Sequence, residues 1–428
     1  RLLRNDGNGQ QPTFSDVTKE AGIYDSYIGY GLAISTGDIN RDGYVDIFIS
    51  NDFHENDYLY LNNGNGTFSE ILEKAFRHTS RSSMGNDMAD VNNDGLTDIM
   101  VLDMLPQDEE IKRRSATEDN EVVYDIKLSM GYYHQLVRNT FQLNRGNNVF
   151  SDVALFADLH ATDWSWSPLI ADYDNDGHKD IFVTNGIMRR PNDLDFVRYN
   201  SAMQEGMRRS QHPDSINYLL IEAMPSDKTS NYMFQNLGRL SFAEKQNEWG
   251  LSQPSWSNGA TYADLDNDGD LDLVVNNTNE PVGIYRNNAE MKPDHNFLSV
   301  ELIGSGQNTK GVGARVELWS SGNLQYLEQF PTRGFHSSVS NRLHFGLGAA
   351  AQIDSLKVSW PGGKTELLER IKANQKLLLK EENSIIDEEH IDGSIALFTP
   401  ADTTLGLNFV HQENTPNPDE PSTLRPHD

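Results

Sequence analysis

The sequence contains no cysteine. Disulfide bridges and thiolate zinc sites are therefore excluded. Long apolar runs are missing as well: no segment approaches the roughly 20 apolar residues that a membrane-spanning helix needs. No secretory signal is visible either. Because the sequence begins at Arg1 rather than Met, we expect the chain to be a segment of a longer protein.

Basic residues are scarce. The 428 residues include 35 Lys and Arg against 64 Asp and Glu, for a net charge of −29. This balance argues against binding to nucleic acid or to anionic membranes, which both need cationic surfaces. Metal cations are better partners for so many carboxylates. The hydrophobic fraction of 37% is ordinary for a soluble globular protein, and the length suffices for two or three domains.

Four acidic nonapeptides form the most regular feature of the chain. They are DINRDGYVD (38–46), DVNNDGLTD (90–98), DYDNDGHKD (172–180) and DLDNDGDLD (264–272). Each is followed by a short apolar run, such as IFIS or LVVN, which is typical of a buried strand. A hairpin-like segment follows further on, as in DYLYLNNGNGTFSE (57–70). The repeat of strand, loop, strand and hairpin predicts the four-stranded antiparallel blade of a β-propeller.

Two of the repeats contain insertions. The first aspartates stand at 38, 90, 172 and 264, so the intervals are 52, 82 and 92 residues, whereas a bare blade takes about 40 to 60. The extra residues lie at about 103–138 and 186–230 and have helix-like composition. Both follow the second strand of a blade, so we expect them on the face opposite the acidic loops.

The chain divides into three parts by pattern. Residues 1–290 carry the propeller repeats and begin in the middle of one, so the propeller is expected to be incomplete. Residues 291–382 contain about seven short alternating strands, which favours a small β-sandwich. Residues 383–428 are polar and proline-rich, and we interpret them as a linker leading into a further domain. The predicted fold class is mainly β: four-stranded propeller blades with helical insertions, followed by a β-sandwich.

The spacing within each loop predicts a calcium site. If the first aspartate of each nonapeptide is counted as position 1, side-chain oxygens stand at positions 1, 3, 5 and 9 and glycine stands at position 6. This pattern suits a hard cation. An EF-hand is excluded because position 12 is aliphatic and the loops are flanked by strands. Solvated turns without metal are the alternative, and magnesium is less suited to an all-protein cage. The predicted side-chain ligands of four Ca²⁺ ions are Asp38, Asn40, Asp42 and Asp46; Asp90, Asn92, Asp94 and Asp98; Asp172, Asp174, Asp176 and Asp180; and Asp264, Asp266, Asp268 and Asp272. The carbonyl groups at position 7 (Tyr44, Leu96, His178 and Asp270) complete each shell, and the Asp270 side chain is predicted to be a spare charge rather than a ligand.

These motifs resemble known families. The loops are similar to the FG-GAP/VCBS repeats of integrin α-chain propellers. Residues 311–379, with GARV, HFGLG and VSWPGG, resemble the ASPIC/UnbV domain. Together they resemble the family of cartilage acidic protein and its bacterial relatives in Bacteroidota. The resemblance implies an extracellular or cell-surface scaffold without known catalytic residues, as a secreted protein or an outer-membrane surface lipoprotein.

Ligand-binding residues are harder to assign. Trp166 is a candidate because tryptophan stacks on sugars and no other repeat has an aromatic residue there. Arg189 and Arg190 are candidates for gripping an anionic partner in this acidic chain, with a solvated loop as the alternative. No zinc, nucleophile-elbow or phosphate motif occurs.

Three functions remain open. The first is a non-catalytic, calcium-stabilised surface protein that recognises a protein or glycan through the propeller face opposite the loops. The second is a polysaccharide hydrolase or lyase that uses the same face. The third is a structural subunit of an outer-membrane nutrient-uptake assembly, with transporter components as partners.

Overall fold

A computed structural model describes residues 1–7, 12–25, 27–115, 121–207 and 213–386. Residues 1–386 form one compact unit. Most of the predicted 383–428 linker lies outside the described residues. No helix in the described part of the chain is long and apolar enough to cross a membrane.

The first part of the chain folds into successive antiparallel sheets, which we call blades. A two-stranded hairpin, β1 (Leu3–Asn5) and β2 (Phe14–Asp16), precedes them. The strands of blade 1 are β3 (Tyr30–Gly37), β4 (Asp46–Asp52), β5 (Tyr58–Asn62) and β6 (Phe68–Glu70), followed by the short helix α1 (Leu72–Ala75). The strands of blade 2 are β8 (Asn86–Ala89), β9 (Asp98–Val101), β11 (Thr140–Asn144) and β12 (Phe150–Asp152). Two short strands beside it, β7 (Thr79–Ser80) and β10 (Gln135–Leu136), pair in parallel.

Blades 3 and 4 differ in strand number. Blade 3 contains β13 (Ser165–Ala171), β14 (Asp180–Asn185), β15 (Tyr232–Asn236) and β16 (Phe242–Glu244). Blade 4 contains only β17 (Ser257–Ala263), β18 (Asp272–Asn277) and β19 (Gly283–Tyr285). The prediction of a mainly β chain with four-stranded blades is therefore confirmed for blades 1 to 3. Blade 4 has no fourth strand among the described residues, and the next strand after β19 is β20, which belongs to a different sheet.

Each blade packs on its neighbour through apolar side chains. The first strands of successive blades contact one another: β3 contacts β8, β8 contacts β13, and β13 contacts β17. Separate buried clusters fill the spaces between blades 1 and 2, 2 and 3, and 3 and 4; Phe48, Phe141 and Phe182 are central members of each in turn. Phe48 and Phe182 belong to the runs that directly follow loops 1 and 3, and their full burial explains why these runs are β-branched and aromatic.

The two insertions are helical, as their composition predicted. The first contains α2 (Glu109–Arg114) and α3 (Glu121–Ser129), and the second contains α4 (Leu194–Met207) and α5 (Pro213–Ala223). Both lie between the second and third strands of their blades. They contact each other, since Arg114 forms ion pairs with Asp193 and Asp227.

The second part is a sandwich of two sheets. Its strands are β20 (Asn296–Ile303), β21 (Arg315–Ser320), β22 (Asn323–Glu328), β23 (Thr332–Arg333), β24 (Ser337–Ser338), β25 (Arg342–Gly348), β26 (Gln352–Ser359), β27 (Lys364–Lys372), β28 (Gln375–Lys380) and β29 (Ile385–Ile386). One sheet has the order β25-β20-β28, and the other has the order β22-β21-β26-β27-β29. Val316, Phe345 and Val358 are fully buried between them.

The hairpin β23–β24 leaves the sandwich and enters the blades. It touches the first strands of all four of them. The Arg333 guanidinium donates to the Asp87 carboxylate (2.9 Å) and to the Met88 carbonyl (2.8 Å), and all three groups are buried. The sandwich is therefore anchored at the centre of the blade assembly by a buried ion pair.

Candidate metal centre

The four acidic loops share one backbone conformation. Glycine at position 6 adopts a positive φ in each, between 84° and 98°. Position 4 also has a positive φ, at Arg41, Asn93, Asn175 and Asn267. The glycine was expected because side chains rarely adopt this conformation. The left-handed residue at position 4 was not foreseen, although asparagine, which tolerates it well, occupies three of the four copies.

The first aspartate holds the loop closed in the first three copies. In loop 1, Asp38 accepts from the backbone N–H groups of Asp42 (3.0 Å) and Gly43 (2.9 Å). Asp90 and Asp172 accept the equivalent pairs of bonds in loops 2 and 3. The carboxylate at position 5 accepts from the N–H of position 7 in all four loops. These bonds turn the oxygens of positions 1 and 5 toward the inside of the turn.

Loops 3 and 4 have carboxylates at positions 1, 3 and 5, whereas loops 1 and 2 have asparagine at position 3. Asp172, Asp174 and Asp176 each offer an oxygen within 4.8 Å of the others, and so do Asp264, Asp266 and Asp268. Oxygen donors of this number and charge fit a calcium ion. Both oxygens of Asp264 are also buried without a hydrogen-bond partner, and Lys376, 3.5 Å away, offsets part of the charge. A cation held in the loop would supply the ligation that these oxygens lack. The residues present therefore fit the predicted ion.

The aspartate at position 9 has a structural role in every copy. It is almost fully buried, and its two oxygens accept from the N–H of position 2 and from the N–H of an asparagine at the end of the third strand or, in blade 4, two residues beyond it. In loop 3, Asp180 accepts from Tyr173 (3.0 Å) and Asn236 (2.8 Å). Neither close carboxylate group includes the aspartate at position 9, so its part in binding the ion stays a prediction.

Burial disfavours the charged form of these aspartates. It raises the pKa of Asp46 to about 7, and it raises the pKa of Asp98 and Asp180 well above the ordinary value. Neighbouring loop carboxylates raise the pKa of Asp180 further. A cation held among positions 1, 3 and 5 reverses this penalty because it stabilises the ionised carboxylates.

Loop 4 departs from the other three. The Asp270 side chain, expected to be a spare charge, is fully buried and lies with Asp268 and Glu290 in a further close group of carboxylates. Burial and the Glu290 carboxyl raise the pKa of Asp270 to about 8. Arg286 partly offsets the charge through ion pairs with Asp266 and Asp268 (2.8 and 2.9 Å). Nothing in the nonapeptide spacing indicated Glu290, which lies 18 residues beyond it.

The sandwich covers the loop face. Arg315 on β21 forms an ion pair with Asp38 (2.6 Å), and Glu328 on β22 accepts from the Asp38 N–H (2.9 Å). His344 on β25 hydrogen-bonds to Asn175 of loop 3 (2.6 Å), and Lys376 on β28 lies 3.5 Å from Asp264. The second domain therefore packs on the acidic loops.

A recurrent asparagine was missed in the sequence. It ends the third strand of blades 1 to 3, at Asn62, Asn144 and Asn236, and in blade 4 it stands two residues after β19, at Asn287. Its amide donates to the carbonyl of loop position 8 in its own blade. In blades 2 to 4 it also donates to the carbonyl of position 2 in the preceding loop. The letters LYLN, FQLN, MFQN and IYRN carried this signal, but only the structure shows that the residue ties one blade to the next.

The three candidate ligand-binding residues all make internal contacts. Trp166 is half-buried, donates to the Gly186 carbonyl (2.7 Å) and packs on Phe335 of the β23–β24 hairpin. Arg190 is 1% exposed and donates to both oxygens of Asp163. Arg189 pairs with Glu222 (3.0 Å). These contacts favour a role in the fold for Trp166 and Arg190, and their predicted ligand role stays a prediction.

Comparison with known proteins agrees with these repeats. The FG-GAP-like repeat model matches residues 38–101, 129–183 and 218–275, and the ASPIC and UnbV model matches residues 304–386. Cartilage acidic protein 1 of Xenopus tropicalis is 25% identical over 415 residues, covering 94% of this chain and 51% of that protein. The Homo sapiens protein of the same name is 24% identical over 409 residues, covering 93% of this chain and 50% of that protein. The chain thus spans about half the length of these curated relatives.

Similarity to solved structures is low. A Photorhabdus luminescens Tc holotoxin pore matches with 14% identity and a TM-score of 0.26, covering 87% of this chain and 12% of that chain. A score at this level carries no argument about the fold or function.

Proposed function

Because the chain belongs to the FG-GAP-repeat proteins that carry an ASPIC/UnbV domain, we propose that it is a non-catalytic, calcium-stabilised extracellular scaffold. The convergence of Asp172, Asp174 and Asp176 on one point supports this most directly. Cartilage acidic protein 1 shares the order of repeats and domain over most of this chain. The family favours an extracellular protein, and the finer location, a bacterial cell surface or outer membrane, is part of the proposal.

Calcium would act on both domains at once. The loops that hold it also carry the contacts to the sandwich, through Asp38 and Asn175. A bound ion supplies positive charge that stabilises the ionised loop carboxylates. Loops 38–46 and 172–180 would then keep the conformation in which they contact Arg315 and His344. Calcium would therefore stabilise the interface between the two domains as well as each blade.

The partner would bind on the face with the insertions, since the sandwich covers the loop face. Helix α3 supports this choice because none of its residues is buried. Val122 and Ile126 on α3 and Met130, directly after its end, recur every four residues and are 67%, 46% and 71% exposed, so they form one apolar stripe on this side of the helix. An exposed apolar stripe suits a protein surface better than a glycan.

Thermal unfolding with and without a chelator tests the calcium part. If the free calcium concentration exceeds the dissociation constant about 1,000-fold, each site stabilises the fold by about 4 kcal/mol through linkage. We expect chelation to lower the melting temperature and to expose the β23–β24 hairpin to proteases. An unchanged melting temperature would overturn the proposal.

The partner face is tested separately. Ile126→Glu should abolish co-purification of a surface partner under native conditions in calcium, whereas Leu367→Glu, a similarly exposed residue on the sandwich, should not. A screen of polysaccharides for released sugars tests the enzymatic alternative. If the chain releases sugars and substitution of one carboxylate outside the loops abolishes the turnover, the protein is a polysaccharide-degrading enzyme and the scaffold proposal is wrong.

A further inference from the structure

The outer edge of blade 4 is open. Equivalent positions on the third strands of the four blades are occupied by Leu59, Phe141, Met233 and Ile284. Each pairs with the residue two positions after the aspartate at loop position 9. The first three side chains are 0%, 0% and 1% exposed, whereas Ile284 is 66% exposed. Leu59, Phe141 and Met233 are each buried in a cluster shared with the following blade, so the exposed Ile284 side chain lies on the face of blade 4 that is turned away from blade 3. The open edge itself follows from the pairing, since no strand among the described residues pairs with the outer side of β19.

The fourth strand of the other blades shows what is missing. It pairs with the third strand so that a phenylalanine lies opposite the recurrent asparagine: Phe68 and Asn62, Phe150 and Asn144, and Phe242 and Asn236. A serine or alanine follows, and then an acidic residue, giving FSE, FSD and FAE. In blade 4 the same register would place this phenylalanine opposite Asn287.

The fourth strand also satisfies the backbone of the third. In blade 2, the Phe141 N–H donates to the Asp152 carboxylate (3.0 Å), and the Phe141 carbonyl accepts from the Val153 N–H (2.9 Å). Leu59 makes the same two contacts with Glu70 and Ile71 (3.2 and 2.9 Å). The register turns the corresponding groups of Ile284 toward the open edge, where a strand can be added.

A groove lies beside this edge, between blades 3 and 4. Its volume is about 400 Å³, and Trp249, Leu251, Leu273 and Tyr285 line its apolar part. In the two preceding spaces between blades, the phenylalanine of the fourth strand fills the corresponding volume. Phe150 packs on Phe76 with ring centroids 5.0 Å apart, and Phe242 packs on Phe141 at 6.4 Å.

We propose that β19 and this groove bind an extended strand of a partner polypeptide that carries phenylalanine, a small residue and an acidic residue in succession. The phenylalanine enters the groove beside Trp249, and the acidic side chain accepts the Ile284 N–H. Lys292, which lies 5.0 Å from the centroid of the Trp249 ring, places a positive charge at the rim. This edge is separate from the insertion face, so either proposal can fail without the other.

A peptide taken from the chain itself provides the probe. Residues 67–76 (TFSEILEKAF) contain the fourth strand of blade 1. A fluorescein-labelled copy is titrated with the intact chain in calcium and followed by anisotropy. We expect saturable binding that weakens at least tenfold when the peptide carries Phe68→Ala or when the protein carries Ile284→Asp. Because Ile284 is exposed, we expect Ile284→Asp to have the same melting temperature as the wild type. Leu367→Asp is the matched control for a new charge at an exposed apolar position.

Three results would overturn the proposal. The first is no saturable binding at millimolar peptide. The second is binding that Ile284→Asp leaves unchanged, which would place the peptide elsewhere. The third is a dimer in sedimentation that Ile284→Asp dissociates, because a second copy of the chain would then cover the edge in place of a partner strand.

Discussion

The asparagine that ends the third strand should contribute more to stability in blade 3 than in blade 1. In Asn236→Ala, three hydrogen bonds are lost: those to the carbonyls of Val91 and Lys179 (3.1 and 3.0 Å) and the one accepted from Gly238 (3.0 Å). A buried polar group left without a partner costs about 1–3 kcal/mol. We therefore expect the free energy of unfolding to fall by about 3–5 kcal/mol.

Asn62→Ala is the matched control within the same chain. Asn62 makes the bond to its own loop, at Val45 (3.1 Å), and accepts from Gly64 (3.0 Å). Among the described residues, it makes no bond to a preceding loop. Urea unfolding of both variants in saturating calcium should give a loss about 1–2 kcal/mol larger for Asn236→Ala. Equal losses would refute the view that this bond holds adjacent blades together.

Two further substitutions test buried charges. Burial raises the pKa of Asp57 to about 7, so the folded state keeps a proton that the unfolded state loses, and stability falls as the pH rises from about 4 to 7. In blades 2 and 3 the corresponding backbone bond is accepted by Asn139 and Asn231. Asp57→Asn should therefore be more stable than the wild type at pH 8, by about 2–4 kcal/mol in urea unfolding. Equal stability at that pH would contradict the raised pKa of Asp57. Arg333→Met should destabilise the chain by about 3–5 kcal/mol because it leaves Asp87 charged and unpaired. Adding Asp87→Asn should restore part of the loss, and no restoration would mean that packing rather than charge explains it.

The sequence was most informative where the repeat was local. Glycine at loop position 6, the strand after each loop and the helical insertions followed from spacing and periodicity, because each depends on neighbours within a few residues. The open edge of blade 4 was less visible, although no FSE-like triplet follows IYRN at 284–287. A missing strand is difficult to recognise when the repeats already vary in length.

Contacts between distant segments escaped the sequence analysis. Arg315 meets Asp38 across 277 residues and Arg333 meets Asp87 across 246. Neither residue belongs to a local motif that indicates its partner. The docking of the sandwich on the loop face depends on such pairs, and so does the burial of Arg190 against Asp163. Charged residues were expected at the surface because burial of a charge is costly, and only the fold supplies the partner that offsets that cost.

Measurement of the bound metal is the simplest test of whether the acidic loops hold calcium. The intact chain is dialysed against buffered calcium, and the bound metal is measured by mass spectrometry alongside Asp176→Ala, which removes one of the three converging carboxylates of loop 3. We expect four calcium ions per chain, three in Asp176→Ala, and a lower melting temperature for the variant. A chain that retains no calcium, or a variant that retains as much as the wild type, would contradict this prediction.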